Sequence, residues 1–262
     1  IRIGAAGGTS LLLSGTISQT TSSQAIVLQA NGNSTLITVS NAIANNGGGL
    51  TIFGTALTGN GVVQLNSASG SGIGNTGINQ NGTLRAGVAN ALNTAGNLTI
   101  GVNGTNNDRG TFDLNGFDQT INGLVGTPAG TSPSGNEFRI VTNSAVSGSG
   151  VLTVGNGGAT ATFNGVIING PTASVALAKV GSGTQTLAGN NTYTGATTIS
   201  DGTLALGVNG SIDNTSVVAL AGGTFSVAAK AGGYSTSNLT GTGTVVGSLT
   251  VTNELAIGNS PG

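Results

Sequence analysis

Carboxylates are the only side chains here suited to acid and base catalysis, and the sequence has seven Asp and Glu in all. Asp113 and Asp118 sit close together in Asp113-Leu-Asn-Gly-Phe-Asp118, with Asp108-Arg109 just upstream. A lyase or hydrolase acting on a polysaccharide would use such clustered acids beside a basic partner. The same residues also suit turns, because a short carboxylate accepts hydrogen bonds from nearby backbone N–H groups. No catalytic residue is assigned. Asp201 and Asp213 are read as turn residues too, since Asp does not recur at the short regular spacing of Ca²⁺-binding repeats. No metal or cofactor is therefore expected.

Glycine-rich stretches such as Gly72-Ile-Gly-Asn-Thr-Gly77 and Gly207-Val-Asn-Gly-Ser211 look superficially like phosphate loops. In a chain of 262 residues with 49 Gly such matches arise by chance, and no helical pattern follows to supply a dipole. Two tyrosines are present, and exposed aromatic rings stack on sugars. Tyr234, in Ala231-Gly-Gly-Tyr-Ser-Thr236, is the candidate for glycan contact.

What must position these residues follows from composition. Cys, Met, Trp and His are all absent, which removes disulfides, thiolate sites and imidazole chemistry. Charged residues make up 5% of the chain, against a usual share of about 25%. Mean hydropathy is positive, +0.23, so low charge here signals a folded chain rather than a disordered one. The six basic residues, Arg2, Arg85, Arg109, Arg139, Lys179 and Lys230, form no stripe, and nucleic acid is not an expected partner. No apolar run reaches the roughly 18–20 residues of a membrane helix. The chain is read as a segment of a longer precursor, with any export signal or membrane anchor outside it.

Glycine interrupts nearly every helical window, while short alternating runs recur: Leu36–Val39, Leu50–Phe53, Val62–Leu65, Leu98–Ile100, Val151–Val154 and Leu249–Val251. Short strands broken by turns this often fit the coils of a β-solenoid. Internal matches agree. Asn81-Gly-Thr-Leu-Arg-Ala-Gly87 matches Asp201-Gly-Thr-Leu-Ala-Leu-Gly207, Gly110-Thr-Phe112 matches Gly223-Thr-Phe225, and Gly7 to Ile17 parallels Gly157 to Ile167. Their common order suggests two degenerate units, about 1–147 and 148–262, within one continuous stack, with Pro128 to Gly135 inserted as a loop.

The stretch Leu187-Ala-Gly-Asn-Asn-Thr-Tyr-Thr-Gly-Ala-Thr-Thr-Ile-Ser-Asp-Gly-Thr-Leu204 closely resembles the autotransporter-associated β-strand repeat of bacterial surface passengers. Asp113-Leu-Asn-Gly-Phe-Asp-Gln-Thr-Ile121 resembles another recurrent segment of that family, which implies a turn or capping role for Asp113 and Asp118, and Gly258-Asn-Ser-Pro-Gly262 resembles its characteristic ending. Glu254-Leu-Ala-Ile-Gly258 departs from the usual lead-in to that ending. The resemblance implies a right-handed parallel β-helix displayed at a bacterial outer-membrane surface.

In such a coil Leu187, Tyr193, Ile199, Leu204 and Leu206 are expected inward or covering turns. Thr, Ser and Gln should face outward, and Asn190 and Asn191 should bond amides between coils. Gly181, Gly183, Gly189, Gly195, Gly202 and Gly207 are expected at corners with positive φ. At roughly 20–25 residues per coil, about ten to thirteen coils would form a rod of about 50–60 Å. The expected function is non-enzymatic: a rod, stalk, adhesin or self-assembling fibre subunit. It would associate end to end or with other surface components and possible host or matrix glycans. The alternative is the stalk of a secreted polysaccharide-acting enzyme, or a glycan-binding module.

Overall fold

A computed structural model describes residues 2–18, 24–32, 34–54, 61–68, 73–101, 109–126 and 139–258. These contain 25 strands and no helix, and every strand pair is parallel. Three faces wind around one axis as a β-solenoid.

The first face stacks β1 (Arg2–Ala5), β4 (Ile26–Ala30), β7 (Leu50–Phe53), β9 (Thr76–Asn79), β11 (Leu98–Ile100) and β14 (Leu124–Gly126). The second stacks β2 (Ser10–Leu13), β5 (Leu36–Val39), β8 (Val62–Leu65), β10 (Gly82–Ala86), β12 (Gly110–Asp113), β15 (Arg139–Thr142) and β18 (Val166–Ile167). The third begins as the short pair β3 (Ile17–Ser18) and β6 (Ile43–Ala44). It resumes as β13 (Gln119–Ile121), β16 (Ser149–Val154), β19 (Ser174–Lys179), β21 (Thr197–Ile199) and β23 (Val218–Ser226). A further run, β17 (Ala161–Phe163), β20 (Thr184–Leu187) and β22 (Thr203–Leu206), joins the same sheet through β23, and β24 (Tyr234–Val246) and β25 (Leu249–Ile257) complete it.

Parallel stacking in register converts alternation along each strand into columns across coils. On the second face Ile37, Val63, Leu84, Phe112, Val141 and Ile167 are successive register partners, and each is fully buried. On the first face Leu28, Ile52, Ile78 and Ile100 do the same. Each such side chain contributes about 1.5–3 kcal/mol by leaving water, with no charged partner required. The columns form one continuous core from Ala5 to Leu239.

The stack has about nine turns, fewer than the expected ten to thirteen. The reason lies in coil length, because Arg2 faces Val27 and Gln119 faces Leu152, whereas only later, where Leu177 faces Thr197 and Thr197 faces Val218, do the coils shorten. At about 4.8 Å per coil the rod is about 40 Å long.

Two of the matched internal segments pair leucine with phenylalanine across coils, though in different sheets. Leu84 on β10 faces Phe112 on β12, and Leu204 on β22 faces Phe225 on β23. The expected insertion at Pro128 to Gly135 and the terminal Asn259 to Gly262 lie outside the described residues, as does Asp108.

The coil corners change along the rod. In the last coils β23 continues through a corner that earlier coils break, bending at Gly222 with φ 114°. Parallel pairing continues on both sides of the bend, to β21 and to β22.

Candidate functional site

The expected coil places most of its side chains as foreseen. Leu187, Tyr193, Ile199, Leu204 and Leu206 are all buried. They alternate with exposed or half-buried neighbours, as the period of a strand requires. The same parity brings in residues whose type suggested the outside. Gln185 shares the face of Leu187 and is 2% exposed, and Thr197 shares that of Ile199 and is fully buried. Parity relative to the neighbouring aliphatic residue is the signal that identifies both.

These buried polar groups are stitched into the coils. Gln185 Nε2 donates to Leu124 O at 2.9 Å, and its Oε1 accepts from Leu124 N at 3.0 Å. Thr197 meets the Tyr193 hydroxyl at 2.7 Å and Thr215 Oγ1 at 3.0 Å, and Thr215 donates on to Gly195 O. Burial pushes the Tyr193 phenol well above its ordinary range, the Thr197 hydrogen bond opposing it.

Asn191 joins three coils. Its Oδ1 accepts from Ile167 N at 2.9 Å, while Nδ2 donates to Gly189 O and to Ser211 O at 2.8 and 2.9 Å. Asn190 accepts from the Ser211 hydroxyl and bridges Ser211 along the backbone. The expected bonding of amide to amide between coils is therefore replaced by bonding of the Asn191 amide to main chain and of the Asn190 amide to a hydroxyl.

Lys179 stands in an otherwise aliphatic column, between Val154 and Ile199. Its Nζ bends into the corner and donates to the carbonyls of Val180, Gly181 and Asp201 at 2.7, 2.6 and 3.2 Å. Three acceptors match the three donors of an ammonium group. Burial lowers its pKa, and the charge of Asp201 partly restores it. Among the expected corner glycines, Gly181 and Gly202 have positive φ, 64° and 59°. Gly183, Gly189, Gly195 and Gly207 do not; at Gly183 and Gly189 a Cβ would collide with carbonyl oxygens of the preceding coil, so close approach is what requires glycine there.

Tyr234, expected at the surface, is 8% exposed. Its hydroxyl donates to Asp213 Oδ1 at 2.7 Å and accepts from Ile212 N at 2.8 Å. Its ring meets Phe225 edge-on at 6.3 Å, and Lys230 Nζ lies 5.6 Å from its centroid. Burial, then the Asp213 hydrogen bond, push this phenol upward as well. The flanking Gly232 and Gly233, both at positive φ, turn the chain so that the ring begins β24 facing the core.

The acids do the work of turns. Asp113 pairs with Arg85 at 2.8 Å and accepts from Asn115 N, Ser144 N and the Ser144 hydroxyl. Asp118 accepts from Val151 N and Asp201 from Gly202 N. Asp113 and Asp118 thus point to different partners and form no acid pair facing a common space. No group of three or more potential metal ligands exists among the described residues. An apolar recess of about 360 Å³ opens beside β24 and β25, lined by Leu220, Leu239, Val245, Leu255 and Ile257 with glycines and Thr242. No ionisable group lines it.

The stitched coil is also the segment that can be compared with known proteins. Residues 177–206 match the passenger-associated-transport-repeat. The match runs from the middle of β19 to the last residue of β22, just over one coil, and includes Lys179, Gln185, Asn191, Tyr193 and Thr197. No curated protein and no solved structure matches the chain. The matched segment thus contains residues that join successive coils. Among the described residues no helix is long and apolar enough to cross a membrane.

Proposed function

We propose that this chain is a non-catalytic structural rod within a bacterial surface passenger, displayed outside the cell, where it spaces or presents other parts of the assembly. One observation carries the reading: among the described residues, Lys179, Asp113 and Asp213 are committed to holding coils together. Lys179 caps three carbonyls, Asp113 holds a turn and Arg85, and Asp213 holds Tyr234. The match over residues 177–206 supports the surface location.

The test is incubation of the purified chain with plant and bacterial polysaccharides, followed by assay for reducing ends and unsaturated products. No product is expected, and release of either would overturn the reading. Electron micrographs test the shape: rods about 40 Å long, singly or joined end to end, agree with it, and rounded particles do not. A glycan-binding role through Tyr234 is not favoured, since its ring is packed against Phe225 and its hydroxyl is engaged.

A further inference from the structure

We propose that the Asn46–Gly47 step is a site of spontaneous covalent modification on the outside of the rod, where asparagine converts to aspartate and isoaspartate through a cyclic imide. The argument rests on two turns of the same kind in different surroundings. Asn46 and Gly47 have φ of 41° and 82°, and Gly48 N bonds Asn45 O at 2.7 Å. Asn115 and Gly116 have φ of 48° and 85°, and Phe117 N bonds Leu114 O at 2.9 Å. Both have the two positive φ values and the closing hydrogen bond of a tight turn built on Asn-Gly.

Their reacting atoms differ. At the second turn Asn115 Nδ2 donates to Ala86 O at 3.0 Å, Gly116 N donates to Asn143 Oδ1 at 2.7 Å, and the Cα of Gly116 faces the side chain of Ala145. Amide and nucleophile are both held by neighbouring coils. At the first turn both residues are exposed, and the space beside Gly47 is open. Neither the Asn46 amide nor the Gly47 N–H has a hydrogen-bond partner among the described residues; the neighbouring Asn45 amide is the one tied down, to Gly49 O.

The chemistry needs only water and hydroxide. Hydroxide takes the proton of Gly47 N, and the nitrogen attacks Cγ of Asn46 to form a five-membered ring. The Cγ–Nδ2 bond breaks, and ammonia leaves with a proton from water. Water then opens the imide at one carbonyl to give aspartate, or at the other to give isoaspartate, whose main chain runs through the former side chain. The nucleophile is already attached to the residue it attacks, and glycine has no Cβ to hinder it. The consequence falls at a tight place. Gly48, next in sequence, packs so closely on Gln24 O and Asn45 that a Cβ there would clash. The longer backbone and new charge of isoaspartate would loosen the corner between β6 and β7.

Native chain held in mildly alkaline buffer at physiological temperature, sampled over weeks and mapped by mass spectrometry with fragmentation that distinguishes isoaspartate, tests this. Asn46 should convert at least about tenfold faster than Asn115, whose two holding hydrogen bonds must open first. In denaturant the two steps should react alike, and Asn46→Gln, with its slower ring closure, should leave that peptide unmodified. Equal rates in the native chain, or an intact Asn46 under conditions that convert it in the unfolded chain, would overturn the proposal.

Discussion

The second face of the early coils and the stitched coil at residues 177–206 solve the same problem differently. Between β5 and β18 the column Ile37, Val63, Leu84, Phe112, Val141, Ile167 is apolar throughout. Between β19 and β23 the interior admits Lys179, Gln185, Asn191 and Thr197, each with partners on other coils. Aliphatic columns hold by area alone and tolerate a sideways slip. Buried polar groups are costly unless their partners sit in one arrangement, so the stitched coil fixes the register between its neighbours. A solenoid coil contacts mainly the coils above and below, so each style of cohesion acts locally.

The largest effect expected from breaking the aliphatic style is at Leu84. Leu84→Ala should cost about 2–5 kcal/mol through an unfilled cavity, read by denaturant unfolding. Protection from hydrogen exchange should fall first in β8, β10 and β12. Asn191→Ala strikes the other style. It strands Ile167 N and takes one donor from each of the Gly189 and Ser211 carbonyls, which keep the backbone N–H groups of Ser211 and Asn191, and should cost about 1–3 kcal/mol. Its exchange losses should centre on residues 167–211; a loss spread evenly along the rod would erase the contrast between regions.

Alkali should sharpen that contrast. Folded coils keep the Tyr193 and Tyr234 phenols protonated at pH values where the unfolded chain releases those protons near the ordinary value of 10.0. Stability therefore falls as pH rises past 10.0. Lys179 acts oppositely: its folded pKa is lowered from 10.5, so between the lowered value and 10.5 the folded state sheds a proton that the unfolded state keeps, and stability rises with pH in that interval. Exchange measured above pH 10.0 should show β19 to β24 opening before β4 to β12. Simultaneous opening would mean the phenols do not control the loss.

Tyr193→Phe is gentler, about 1 kcal/mol, because Thr197 and Thr215 still bond each other. It should also remove part of the alkaline sensitivity. Added salt should do least. The side-chain ion pair among the described residues, Arg85–Asp113, is half open to solvent on the arginine side, so raising salt to about 1 M should change stability by less than about 1 kcal/mol.

Much of the coil was legible because alternation and glycine spacing are local signals. Leu187, Tyr193, Ile199, Leu204 and Leu206 could be turned inward from the sequence, since every second residue of a strand shares a face. Gln185 and Thr197 were read outward from their polarity, although the parity of their neighbours places them inside. Tyr234 shows where local reading ends. Nothing between Ala231 and Thr236 announces that Asp213 and Ile212, one coil below, hold its hydroxyl. Lys179 likewise gains its third acceptor from Asp201 on the next coil.

By itself the sequence determined that the chain is a stack of short parallel strands, because scarce charge, frequent glycine and period-two aliphatic residues leave few other ways to bury apolar surface. Only the tertiary structure decided which polar residues lie inside, how many coils there are and which turns are tied down. Those depend on which residue of the next coil stands opposite. The period along one strand carries no information about that choice, which is fixed when corners of unequal length bring the coils into register.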